Sequence, residues 1–106
     1  MKITRLSDTP LEPVSHDPQL KKQVLLEDLG GLRRLSHIVL PAGSRASLHS
    51  HRDLYEVFYI VRGRIVFVID GKECELTQGT VLAVEPGEAH EIKAVLEECE
   101  MVYVHV

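Results

Sequence analysis

Four features are missing from this chain of 106 residues, and each absence removes a class of function. No run of Lys and Arg occurs and the formal net charge is −4, so the chain has no basic patch to displace counterions from nucleic acid or anionic lipid. The pair Arg33-Arg34 is too short to supply one. No apolar segment approaches the length of a membrane span, and the opening stretch MKITRLSDTPLEP has no apolar core of signal-peptide length. The expected compartment is therefore the cytoplasm. The two cysteines, Cys74 and Cys99, are too far apart for a CxxC redox or zinc motif and read as free thiols. Finally, no window sustains a 3.6-residue apolar period. A turn around LEDLGG, ended by Gly30 and Gly31, is the one helix candidate.

What is present is a soluble globular composition, 44% hydrophobic and 26% charged, in a chain one domain long. Pro10, Pro13 and Pro18 punctuate residues 1–20, which predicts an extended N-terminal arm ahead of a domain at 21–106. The rest alternates strands and turns. KQVLLE, RRLSHIVL, YEVFYIVR, RIVFVID, KECELT, TVLAVE, HEIKAVL and EMVYVHV are short, rich in β-branched or aromatic residues, and bounded by Gly, Pro or Asp. Eight such strands at near-regular spacing predict an all-β sandwich or barrel. Asp70-Gly71 is the strongest turn signal, since a two-residue type I′ hairpin needs positive φ at both positions. Gly63 marks another reversal. RIVFVID and the last strand are apolar on both faces, which implies an outer cover and points to a homodimer.

The chemistry concentrates in HSHRDLYE, residues 49–56. His49 and His51, two positions apart on a strand, point to one face, and their imidazoles can converge on one ion. Glu56 shares strand parity with Phe58 and Ile60, which puts a carboxylate in line with apolar side chains. A buried unpaired charge is too costly there without a compensating cation. His90, after the Pro86-Gly87 turn, offers a further ligand. Three imidazoles and one carboxylate suit a divalent transition metal (iron, manganese, nickel, copper, cobalt or zinc) and fit calcium or magnesium poorly.

The spacing resembles a known pattern. Gly43, five residues, His49-x-His51, four residues, Glu56, six residues and Gly63 fill the first motif of the cupin superfamily. Gly79, Gly87 and His90 keep the second, although Pro86 stands directly before Gly87 and Ala94 replaces the usual asparagine. Over about residues 33–106 the chain is similar to small single-domain cupins. That resemblance implies a conserved β-barrel (a double-stranded β-helix, or jelly roll) with metal on His49, His51, Glu56 and His90. It also implies dimers in which an N-terminal strand crosses to the partner.

Other side chains carry weaker expectations. Arg45 shares the parity of His49 and would reach a substrate carboxylate if the strand is regular that far, although a surface position is the commoner fate of an Arg. Phe58, Ile60, Phe67 and Tyr103 are candidates for the pocket wall or for plain core. His16 and His37 read as structural, and His105 is open between cavity and solvent. With the metal in place, the expected function is a metalloenzyme acting on a small oxygen-rich metabolite by dioxygenase, isomerase or lyase chemistry, with Glu56 as a candidate base. The alternative is a non-catalytic module that binds or senses a carboxylate or sugar.

Overall fold

The computed structural model describes residues 1–106, and the chain is almost entirely extended. One 3-10 turn, Leu6–Asp8, precedes eight strands: β1 (Glu12–Val14), β2 (Asp17–Leu29), β3 (Leu32–Leu40), β4 (Ala46–His49), β5 (Glu56–Ile69), β6 (Lys72–Thr77), β7 (Val81–Val84) and β8 (His90–His105). All pairings are antiparallel, in the order β1-β2-β3-β8-β5-β6, with β4 on β8 and β7 on β5. The result is a jelly-roll barrel.

Two long strands, β5 and β8, pair along nearly their whole lengths and organise the rest. The sequence divides each of them in two, with a reversal at Gly63. Instead each strand is continuous and bent by bulges, and the register against β8 shifts on both sides of Gly63. That residue has φ +96°, and a Cβ there would lie 2.1 Å from the Glu98 carbonyl oxygen, so only glycine fits. The bulge also switches the inward face. Glu56, Phe58 and Ile60 are buried before it, whereas Ile65 and Phe67 are buried after it.

The LEDLGG stretch forms no helix. Its residues end β2, and Gly30-Gly31 make a two-residue turn closing the Leu29–Leu32 pair. Asp70 and Gly71 have φ of 45° and 82°, the double positive that a type I′ hairpin requires, and they join β5 to β6. Residues 1–20 contain the 3-10 turn, β1, a turn at Ser15-His16 and the start of β2, and β2 crosses residue 20 unbroken. Leu20 is buried, and the Gln23 side-chain amide donates to the Leu6 and Thr9 carbonyls at 3.0 and 2.8 Å.

The interior is filled by Leu40, Ile60, Ile65, Phe67, Cys99 and Met101, each at most 1% exposed. This apolar layer draws on β3, β5 and β8. At one end of it β4, β8 and the loop after β4 bring histidines together around Glu56 of β5.

Candidate metal centre

Each of the four candidate ligands is placed by a different local device. His49 ends β4, where a one-residue irregularity lets Ala46 and His49 both point inward although they are three positions apart. His51 lies in the following loop, anchored where its carbonyl accepts from the Gly87 amide at 2.7 Å. Glu56 opens β5 opposite Val84 of β7 and His105 of β8 and is 5% exposed. His90 opens β8 opposite His49 and is 1% exposed.

One ligand atom from each of His49, His51, Glu56 and His90 lies within 4.8 Å of every other. His90 Nε2 is 2.9 Å from Glu56 Oε1, and His51 Nε2 is 3.6 Å from the same oxygen. The other ring nitrogens decide what these atoms offer. His49 Nδ1 sits 2.9 Å from the Ser47 carbonyl and His90 Nδ1 sits 3.1 Å from the Glu88 carbonyl. A carbonyl only accepts, so Nδ1 carries the hydrogen in both rings, and in the neutral tautomer Nε2 presents a bare lone pair. His51 Nε2 is buried with no hydrogen-bond partner. Lone pairs and a carboxylate aimed at one point repel unless a cation lies between them, so the donor set fits a metal ion.

The electrostatics agree. Burial alone would push the Glu56 carboxyl up, but without a metal the hydrogen bonds from His105 and from His90, which in its protonated form carries a second N–H on Nε2, outweigh it and hold Glu56 far below the usual carboxylate range. Glu56 is thus an anion in an apolar wall. Burial lowers the His49 and His51 imidazoles, which favours the neutral, metal-binding form. For His90 burial also pulls downward, but the Glu56 carboxylate and the Glu88 carbonyl prevail and raise it.

Beside these groups opens a cavity of about 50 Å³, walled by Leu40, Phe58, Phe67, Ile92, Met101 and Tyr103. A water needs about 10–15 Å³ on this measure, so the space suits a handful of waters or a molecule of a few heavy atoms. Of the side chains considered for the pocket, Phe58, Phe67 and Tyr103 are on the wall, with Phe58 ring-to-ring 5.0 Å from Phe67 and 5.4 Å from Tyr103. Ile60 is wholly buried behind it.

Arg45 is not on the wall. It is exposed, and its Nε donates to the Lys93 carbonyl at 3.2 Å. The irregularity in β4 breaks the alternation that would have carried it inward. Ser47, on the same parity, donates from its amide and hydroxyl to the Asp17 carboxylate instead.

Two further histidines stand at the site. His16, expected to be structural, lines the cavity with its ring 3.8 Å from that of His49 and its Nδ1 2.6 Å from Asp17 Oδ2. His105 hydrogen-bonds Glu56 Oε2. The inward parity of His105 with Met101 and Tyr103 was a usable signal; nothing local to His16 announces its place, which depends on β1 and β2 folding back over the barrel.

The family model for the cupin domain matches residues 36–106. The chain belongs to the cupin family. Over 61 residues this cupin is 36% identical to the oxalate-binding protein of Thermotoga maritima, a match covering 58% of this chain and about half (50%) of that protein's length. It is 26% identical over 96 residues to an uncharacterized protein of Methanocaldococcus jannaschii, covering 88% of this chain and 77% of the other. Among solved structures, a predicted oxalate decarboxylase from Thermotoga maritima superposes with a TM-score of 0.86 at 26% identity, covering 99% of this chain and 98% of that one.

Proposed function

We propose that this cupin binds one divalent transition metal through His49, His51, Glu56 and His90 and takes a small oxygen-rich anion of the oxalate class at that metal. The observation that carries the reading is the convergence of bare imidazole nitrogens on the buried Glu56 carboxylate. The small cavity sets the ligand's size, and the oxalate-binding relative supports its class. When bound, the ion supplies Lewis-acid charge for a ligand's oxygens. The chain's own contribution is positional: two backbone carbonyls fix the tautomers of His49 and His90, and the apolar wall of Phe58, Phe67 and Met101 excludes water.

The test is oxalate titration of protein loaded with manganese, nickel or copper, beside metal-free protein and a His49→Ala/His51→Ala variant. Saturable binding only in the loaded wild type is expected. Equal binding by the metal-free protein would sink the metal-centred reading. That the bound anion is also turned over is a second reading, favoured by the dry wall around the site; release of carbon dioxide or formate, or consumption of oxygen, measures it. Homodimerisation also belongs to the proposal. Tyr59 and Val81, 47% and 60% exposed, lie beside half-buried Val57, Val102 and Val104 on the outer face of β7, β5 and β8. A monomer mass by light scattering at micromolar concentration would count against it.

A further inference from the structure

The two oxygens of Glu56 have different company. Oε1 faces the candidate ligands His90 and His51, at 2.9 and 3.6 Å, while Oε2 is engaged by His105 Nε2. His105 is held there by the fold: its Cα pairs with Glu56 on β5 and with Arg34 on β3, and its ring lies 5.3 Å from that of His51 and 5.9 Å from Tyr103. It stands outside the group of four whose ligand atoms converge. An imidazole N–H on Oε2 takes up one of that oxygen's two lone pairs and makes it the weaker donor toward a metal.

We propose that His105 is a positioning residue that restricts Glu56 to single-oxygen ligation and so would leave a bound metal two positions for two oxygens of one anionic ligand. The inference rests on the metal-centred reading above. Counting positions shows why it matters. Three imidazoles and one carboxylate oxygen leave two sites on a six-coordinate ion, whereas a Glu56 bound through both oxygens leaves one. With two sites a 1,2-dicarboxylate can chelate; with one, oxalate and acetate bind alike. His105 is thus a selector between chelating and single-point ligands, acting through Glu56 and without touching the ligand.

The experiment compares wild type, His105→Leu and His105→Gln, each loaded with copper. Gln keeps an N–H donor, and Leu does not. Three quantities are read: metal content, the ratio of oxalate to acetate affinity by calorimetry, and the number of imidazole nitrogens on the ion by pulsed electron paramagnetic resonance. In His105→Leu the oxalate preference should fall about tenfold or more, in keeping with the loss of an outer partner of a ligand. The imidazole count should stay at three, and His105→Gln should recover most of the preference. An unchanged preference in His105→Leu, in a protein that still binds metal, would overturn the inference alone. So would a count falling by one, because His105 would then be a ligand itself. A wild type that holds no metal would overturn the underlying reading as well.

Discussion

β5 passes through two environments that have little in common. Its first residue, Glu56, is a buried anion among imidazoles, while Ile60, Ile65 and Phe67 farther along are almost wholly enclosed by other apolar side chains. β8 repeats the division, with His90 and His105 at its ends and Val95, Cys99 and Met101 between them. In the apolar layer, burial and stability are the same quantity. At the metal end they diverge, since a buried His51 nitrogen without a hydrogen-bond partner costs the empty protein stability and is useful only to a ligand. Stability resides in the layer, and binding resides at the end that the layer holds rigid.

The largest effect should come from damaging the layer. Phe67 is 1% exposed, so Phe67→Ala should lower the unfolding free energy by about 3–5 kcal/mol, measured by denaturant titration of metal-free protein. A loss below about 1 kcal/mol would mean that the layer is loosely packed. The metal end should behave oppositely. The His49→Ala/His51→Ala variant, without metal, should stay within about 1 kcal/mol of wild type. Metal at a hundredfold excess over its dissociation constant should then stabilise wild type by about 2.7 kcal/mol and the variant not at all. Equal stabilisation of both would place the ion elsewhere.

That division also explains what could be read from the sequence. The all-β fold, the Asp70-Gly71 hairpin and the grouping of His49, His51 and Glu56 follow from local composition and short spacings, while His90 joins them through the resemblance to the second cupin motif. Gly63 reads as a reversal in the sequence and is a bulge in the fold, because turns and bulges use the same residue for the same positive φ, and only the clash with the Glu98 backbone separates them. For Arg45 strand parity points to the cavity and residue type to the surface, and the irregularity between Ala46 and His49 decides for the surface. His16 depends on a contact between distant segments. A period of two carries no information across a bulge.

A smaller effect, about 2 kcal/mol, lies in the joint between the regions. Asp17, 5% exposed, accepts from the Ser47 amide and hydroxyl and from His16, tying β2 to β4 beside the site. Burial alone would raise its carboxyl, but those hydrogen bonds outweigh burial and lower it to about 2. A carboxyl held lower in the folded than in the unfolded chain contributes stability above the unfolded value, and that contribution is lost as pH falls toward the folded one. Metal-free wild type should therefore lose about 2 kcal/mol more than Asp17→Asn between roughly pH 5 and 2. Parallel curves for the two proteins would remove Asp17 from the account.

The finest probe changes no stability at all. Cys74 is half-buried on β6, whereas Cys99 is fully enclosed in the layer, where burial pushes its thiol up to about 11. A thiol reagent at pH 8 should modify Cys74 promptly and Cys99 only when the layer opens. Because the strands that hold Cys99 also carry Glu56 and His90, metal should slow the labelling of Cys99 in wild type and leave it unchanged in His49→Ala/His51→Ala. If metal protects Cys99 by the same factor by which it stabilises the whole protein, the two regions unfold together. Protection that is smaller than this factor would mean that the metal end can come apart while the layer stays closed, and the contrast along β5 would then be one of cooperativity as well as chemistry.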